Sequence, residues 1–202
     1  MRWPLGVVFI VYGDRPIREA ARMARGHGFA HIDTLADAPG DLALPVGDRF
    51  SMIPHAGCSA GPAPEGARSW EQTVADFRKH PNVRMEPWPG SVVGSNEAVL
   101  AMLEAVPGLK LNLDVGHVVA WGGDPCELLQ HAGHVQLRQA RRGESQTLEG
   151  DVDFPSILTG LEAVGYDGLL SIEYFDLPEH GWPLEDPIAA ALDLAERLRA
   201  LP

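Results

Sequence analysis

The sequence is poor in cysteine and has no long apolar run. Its 202 residues include two cysteines, Cys58 and Cys126, which stand far apart and outside any CxxC or histidine-rich context. A disulfide framework is therefore not expected, and a reducing compartment is predicted. The longest apolar run, Gly6 to Tyr12, is far shorter than the roughly 18 residues of a membrane-spanning helix. It also lacks the small-residue cleavage site of a signal peptide, so we expect a cytoplasmic protein with no membrane partner.

Positive charge is scarce as well. The chain has 16 Lys and Arg against 28 Asp and Glu, which gives a formal net charge of -12. Nucleic acid is not expected as a partner, because binding to a polyanion needs clustered Lys and Arg. The acidic balance does not by itself identify a substrate, since many enzymes are acidic.

Short apolar runs alternate with helical patterns along the whole chain, which is typical of βα units and a parallel sheet. We predict seven strands, at Gly6–Tyr12, Phe29–Asp33, Phe50–Pro54, Val83–Glu86, Leu109–Asp114, His134–Arg138 and Gly168–Phe175. A full eight-stranded α/β barrel takes about 250 residues. The sequence therefore predicts a single domain over residues 1–202, a TIM-type barrel shortened by about one βα unit between His55 and Glu86.

Six helices are predicted between and after these strands, at 16–25, 70–80, 96–106, 125–131, 154–164 and 187–201. The second begins with Ser69 and has Gln72 three positions later, which is the pattern of a capping box. A polar connection is predicted between the strand that ends at Arg138 and the helix that begins at Phe154.

Four predicted strands end in an ionisable residue followed by a turn: His55, Glu86, Asp114 and Glu173. In a parallel barrel the carboxyl ends of all strands lie on one face, so these side chains should converge. Three carboxylates at close range cannot all stay ionised unless a cation or bound protons compensate them. Oxygen ligands with an imidazole suit Mg²⁺ or Mn²⁺, and also Co²⁺, Fe²⁺ or Zn²⁺. The alternative is that each carboxylate separately caps a helix or forms an ion pair.

The part of the chain after residue 82 closely resembles the xylose-isomerase-like TIM-barrel superfamily. This superfamily includes sugar phosphate isomerases and epimerases and the endonuclease IV type of DNA-repair enzyme. The resembling stretches are VRMEPWPG, LKLNLDVGHVVAWGGDP, GHVQLRQARRGE and LEGDVDFPSILTGLEAVGYDGLLSIEYF, and more weakly GHGFAHIDT. The strings LDVGH and EGDVDF…GYDG…SIEYF are the most specific of these.

The resemblance implies a metal site and a carbohydrate isomerase or epimerase. In the family a Glu, an Asp, a His and a second Glu hold the metal, and the matching positions here are Glu86, Asp114, Gln136 and Glu173. Glu86 and Glu173 are also the implied acid–base pair. His117, three residues after Asp114, matches a family histidine that contacts substrate or a second metal, and we predict that it orients or polarises a substrate oxygen.

Four further residues are candidates for substrate binding. His55 matches a strand-end histidine that some members use for substrate or an additional metal. Arg138 and Arg142 follow a strand into a loop, where a guanidinium could bind a carboxylate or phosphate or could simply be solvated. Trp88 could pack against the CH faces of a sugar, or could serve loop packing alone.

The chain departs from the family pattern in two places. Where the family strand reads HVHL, this sequence has His134-Val135-Gln136-Leu137. An amide oxygen is a weaker ligand than imidazole for transition metals, so we expect metal binding to be weaker, shifted toward Mn²⁺ or Mg²⁺, or lost. The missing βα unit argues against endonuclease IV activity, and it leaves a gap that a second copy or another partner could cover.

We therefore expect metal-assisted proton transfer on a small polyhydroxylated carbonyl compound. A lyase or dehydratase, a metal-free acid–base catalyst and a non-catalytic binding subunit of the same fold are the alternatives. The sequence leaves the substrate open.

Overall fold

The computed structural model describes residues 2–35, 37–50, 69–80, 82–178 and 182–201. The predicted strand end at His55 lies outside these ranges. The chain divides into two compact units. The first comprises residues 1–50, 136–138 and 169–202, and the second comprises residues 51–135 and 139–168.

The strands in the described ranges are β1 (Leu5–Val8), β2 (Ile32–Leu35), β3 (Val46–Phe50), β4 (Arg84–Met85), β5 (Lys110–Asp114), β6 (Ala132–Leu137), β7 (Gln139–Arg141), β8 (Glu144–Thr147) and β9 (Leu170–Ile172). The α-helices there are α1 (Ile17–Gly26), α2 (Trp70–Lys79), α3 (Asn96–Ala105), α4 (Val115–Trp121), α5 (Phe154–Ala163) and α6 (Pro187–Arg199). No helix in the described part of the chain is long and apolar enough to cross a membrane.

The first unit is built on parallel strands in the order β3-β2-β1-β9, with the end of β6 beside β9. The amide of Glu173, just after β9, donates to the carbonyl of Leu137 at 3.1 Å. All four residues of β1 are buried, as expected for a parallel strand that is covered on both faces. This pairing determines which residues of β6 and β9 lie side by side.

Two glycines in the first unit make room for a buried histidine. A Cβ on Gly6 of β1 or on Gly47 of β3 would overlap the imidazole of His31. Because Gly6 has no side chain, the ring reaches the next strand, where its Nε2 lies 3.0 Å from Oγ of Ser171. The same nitrogen lies 3.8 Å from Oδ1 of Asp33. The core of this unit therefore contains a connected polar cluster.

The second unit contains the parallel pair β4 and β5, with the beginning of β6 next to β5. The predicted capping box of α2 is confirmed: Oγ of Ser69 accepts from the Gln72 amide at 3.2 Å, and Oε1 of Gln72 accepts from the Ser69 amide at 3.0 Å. Oγ of Ser95 caps α3 by accepting from the Ala98 amide at 3.2 Å. These caps satisfy amides that a helix leaves without partners at its first turn.

Several element boundaries differ from the prediction. The apolar run from residue 6 forms strand only to Val8, and Phe9–Tyr12 is a 3-10 turn that Gly13 closes with φ 61°. Apolar runs of this length do not distinguish strand from helical turn by period. Pro125–Glu127 and Leu129–His131 are two 3-10 turns rather than one α-helix.

The polar connection after β6 is an antiparallel hairpin of β7 and β8. Its turn places Gly143 at φ 86°, a conformation that favours glycine. The amide of Gly143 donates to the carbonyl of Ala120 at 2.8 Å, which ties the hairpin to α4.

Candidate active site

Asp114 ends β5 and caps the helix that follows. Its Oδ1 accepts hydrogen bonds from the amides of Gly116 at 2.8 Å and His117 at 3.2 Å, and these bonds start α4 directly at the strand end. This capping role explains why Val-Gly-His becomes helical here. Because Oδ1 is committed to the helix, Oδ2 is the oxygen that faces the His117 ring.

Glu86, Asp114 and His117 form a cluster in the second unit. Nε2 of His117 lies 3.8 Å from Oε1 of Glu86 and 3.8 Å from Oδ2 of Asp114. One candidate ligand atom from each residue lies within 4.8 Å of the other two. The Asp114 side chain is fully buried, whereas the Glu86 side chain is 22% exposed. Glu86 is therefore the carboxylate of the cluster that solvent or a substrate reaches most easily.

Asn112 is a site residue that the sequence analysis did not single out. Its Nδ2 donates to Oε2 of Glu86 at 3.1 Å. Strand residues two apart share a face, so the alternation in Leu111-Asn112-Leu113-Asp114 was the available signal. The bond engages Oε2 and leaves Oε1 as the oxygen toward His117.

This cluster fits a divalent cation. Two atoms that each bind one ion at about 2.1 Å can lie at most about 4.2 Å apart. Both distances from Nε2 of His117 are below that limit, and the third pair, Glu86 with Asp114, lies within 4.8 Å. Two carboxylates and an imidazole are a common donor set for Mn²⁺ and Zn²⁺, and the carboxylates also suit Mg²⁺.

Gln136 and Glu173 lie together in the first unit but are occupied by protein contacts. Nε2 of Gln136 donates to Oε1 of Glu173 at 3.1 Å. A guanidinium nitrogen of Arg138 donates to Oε2 of Glu173 at 3.4 Å. Each Glu173 oxygen thus accepts from a side chain of the β6 end, which is a different arrangement from the pair of metal ligands that the resemblance implies.

Arg138 does not lie in a solvated loop. It follows β6 directly, its side chain is fully buried, and its guanidinium carbon stands 5.0 Å from the centre of the Phe175 ring. Residues 136 and 138 share a face because the side-chain period of a strand is two, and that face meets Glu173.

Two further residues, Trp88 and Arg142, were predicted to bind substrate. Trp88 is half-buried in the loop after β4, where its carbonyl accepts from Ser91. Arg142 sits in the hairpin turn beside Gly122 and lines an open cleft of about 600 Å³ in the second unit; Glu86, Asp114 and His117 are not among the residues that line it.

Cys126 lines the same cleft as Arg142. Burial, together with the neighbouring carboxylate of Asp124, raises the pKa of the Cys126 thiol. The thiol therefore stays protonated at neutral pH and is a poor nucleophile.

In α/β-barrel proteins the functional site lies on the face that the carboxyl ends of the parallel strands form. Carboxylates and a histidine that follow parallel strands at their carboxyl ends are typical of this class of protein. The sequence profile described as "Xylose isomerase-like TIM barrel" matches residues 41–201. The chain belongs to the xylose isomerase-like TIM-barrel family. This membership confirms the resemblance and the predicted fold class, a shortened barrel-type α/β fold, whose described residues contain seven strands besides the hairpin.

Similar proteins include a curated relative and several solved structures. The "Rhizopine catabolism protein MocC" of Rhizobium meliloti is 34% identical over 47% of this chain, and the match spans 37% of its own length. The 3-keto-D-glucoside 4-epimerase YcjR of E. coli superposes with a TM-score of 0.70 at 15% identity, covering 99% of this chain and 100% of its own. A D-allulose 3-epimerase from Methylomonas sp. gives 0.67 at 19% identity, covering 99% and 98%. At these identities the two structures show the fold alone.

Proposed function

We propose that the protein is a sugar isomerase or epimerase that acts on a small polyhydroxylated carbonyl compound with a divalent cation. The observation that carries this proposal is the cluster of Glu86, Asp114 and His117, with ligand atoms within 4.8 Å of one another. A cluster of this composition with one partly exposed carboxylate is suited to bind a cation and a substrate together. The fold shared with two sugar epimerases supports the same reaction class.

Glu86, Asp114 and His117 would hold the cation, and Mn²⁺ or Mg²⁺ is the preferred ion. When bound, such a cation stabilises the negative charge that develops on a carbonyl oxygen as the neighbouring C–H bond loses its proton. Asp114 suits a ligand role because its cap fixes the side chain, and a fixed ligand needs no reorganisation on binding.

Glu86 and Glu173 are the proposed pair that removes and returns the proton. A carboxylate accepts a proton only in its ionised form, and a donated hydrogen bond or a nearby cation favours that form. Asn112 supplies the hydrogen bond for Glu86, and Arg138 supplies the positive charge for Glu173. With Nε2 as its ligand atom, His117 would act through the cation, by fixing where the cation orients and polarises a substrate oxygen.

The test is solvent exchange at the carbon next to the carbonyl group. Protein stripped with EDTA and reloaded with Mn²⁺ is incubated in D₂O with a panel of ketoses and keto-sugars, and deuterium incorporation is followed by NMR. We expect exchange in the wild type, loss of exchange in Glu86→Gln, and retention in Glu97→Gln, an exposed glutamate of α3. Exchange in Glu86→Gln at the wild-type rate would contradict the proposal.

A lyase or dehydratase is the second candidate, because proton removal at the same carbon can expel a leaving group on the next one. The fold is also that of the probable 3-DHS dehydratase AsbF of Bacillus anthracis, with a TM-score of 0.63 at 15% identity, covering 97% of this chain and 98% of that one. The NMR spectra separate the two reactions: an isomer or epimer keeps the substrate's number of oxygen substituents on carbon, whereas a dehydratase product has lost one of them as water.

A further inference from the structure

We propose that Arg138 is the built-in counter-cation of Glu173, and that a divalent cation is therefore held by Glu86, Asp114 and His117 without Glu173. The existence of the cation site rests on the proposed function. The pairing of Arg138 with Glu173 does not, and it can be tested separately.

Both oxygens of the Glu173 carboxylate accept hydrogen bonds from protein side chains. Oε1 accepts from Nε2 of Gln136 at 3.1 Å, and Oε2 accepts from Arg138 at 3.4 Å. An ionised carboxylate is only an acceptor, so the Gln136 amide must present its NH₂ group rather than its oxygen. In this arrangement Gln136 has turned its potential ligand atom away from Glu173.

Arg138 is a buried cation that needs an opposite charge nearby. Its side chain is fully buried, and a guanidinium does not lose its proton in proteins. A buried charge without an opposite charge is strongly destabilising. Glu173, with only 11% of its side chain exposed, meets this requirement from the next strand, and the face of the Phe175 ring stabilises the cation further.

Charge balance also favours a cation site without Glu173. A divalent cation bound by Glu173 would stand close to a permanent positive charge that cannot move into water. Like charges at short range in a poorly solvated site repel strongly. In the second unit, by contrast, Glu86 and Asp114 bring two negative charges to one imidazole, which is the charge that a divalent cation balances.

The pairing is tested by a double-mutant cycle in EDTA, with Arg138→Met, Glu173→Gln and the double variant compared by thermal unfolding. Each single variant leaves one buried partner uncompensated, so we expect each to lower Tm by roughly 6 °C or more. The double variant should lose clearly less than the sum of the two. Additive losses would overturn the pairing. If Arg138→Met fails to fold alone, folding of the double variant supports the pairing, and its failure overturns it.

The matched control is the exposed pair of Arg141 and Glu144, whose atoms lie 2.9 Å apart on the hairpin. Arg141→Met, Glu144→Gln and their combination change the same residue types in water. Exposed ion pairs contribute little, so this cycle should move Tm by no more than about 2 °C. A control cycle as strongly coupled as the buried one would mean that the buried pair has no special role.

The ligand set is tested by calorimetric titration with Mn²⁺ alone. We expect Glu173→Gln to keep the wild-type Kd within about threefold, and Glu86→Gln to weaken it by about tenfold or more. Equal weakening in both variants would overturn the inference. A wild type that binds no Mn²⁺ would refute the metal in the proposed function and the ligand set with it, whereas the double-mutant cycle decides the pairing on its own.

Discussion

The side-chain amide of Asn112 holds one oxygen of Glu86 at 3.1 Å while the other oxygen faces Nε2 of His117 at 3.8 Å. Asn112 is only 4% exposed, so water competes little for this bond. A hydrogen bond to a charged acceptor in such a place selects one rotamer and favours the ionised carboxylate. We therefore assign Asn112 as a positioning residue for Glu86.

Replacing this amide should slow the reaction without removing any ligand. A hydrogen bond to a charged group contributes about 1.5–3 kcal/mol, so Asn112→Leu should lower kcat by about 10- to 100-fold. Asn112→Asp should do more harm, because it sets a second carboxylate against Glu86. Steady-state deuterium exchange at saturating Mn²⁺ measures both effects. Asn82→Asp, at an exposed asparagine before β4, is the control, and wild-type kcat in Asn112→Asp would refute the assignment.

The two roles of Asp114 should separate by substitution. Asp114→Asn keeps an oxygen that can accept from the Gly116 and His117 amides, so in EDTA its stability should match or exceed that of the wild type. Asp114→Ala loses the cap and should lower the free energy of unfolding by about 0.5–2 kcal/mol. Both variants should lose Mn²⁺ binding, as measured by calorimetry beside thermal unfolding.

Asp153 provides the comparison for that experiment, because it caps α5 through Oδ1 and the Ser156 amide at 3.1 Å. Asp153→Ala should show the cost of a lost cap with Mn²⁺ affinity intact. If Asp114→Asn bound Mn²⁺ as tightly as the wild type, the carboxylate of Asp114 would not be a ligand.

The sequence predicted the structure correctly where the structure depends on local pattern. The alternation up to Asp114 predicted a strand with its acidic residue at the end, and the capping box at Ser69 predicted the start of α2. Both features depend on residues within four positions of one another. The start of α4 was missed because Val115 and Gly116 are poor helix formers, and only the Asp114 side chain, acting as a cap, makes the turn favourable.

The contact between Arg138 and Glu173 could not be predicted from local sequence pattern. An arginine after a strand is usually solvated, and the sequence analysis left its role open. The observed burial requires β6 to lie beside β9, which brings Arg138 to a glutamate 35 positions later. Only the strand order and the residue register contain that information.

The buried polar cluster of the first unit leads to a stability prediction. Gly6→Ala would place a methyl group in the His31 ring, and overpacking of this kind costs about 1–3 kcal/mol. Gly26→Ala is the control, since the space around Gly26 at the end of α1 is open, and it should be neutral or slightly stabilising. Urea unfolding measures both.

The double variant Gly6→Ala/His31→Ala identifies the cause. If the ring is what the methyl group meets, the double variant should be less destabilised than the sum of the two single variants. Strict additivity would place the strain elsewhere in β1.

Gln136→His tests whether position 136, which matches the metal-binding histidine of the family, can contribute a metal ligand in this protein. Imidazole is a stronger ligand than an amide oxygen for Zn²⁺ and Co²⁺. A metal site that includes position 136 should therefore gain about tenfold in affinity for these ions, with a smaller change for Mg²⁺, whereas a site formed by Glu86, Asp114 and His117 alone should gain nothing. Gln130→His, on an exposed residue, reports the affinity that any added surface imidazole brings. An equal gain in both variants, or none in Gln136→His, would show that the side chain at 136 faces Glu173 only. His134 does not offer the same ligand, because it lies two residues earlier on β6, about 6–7 Å along the strand.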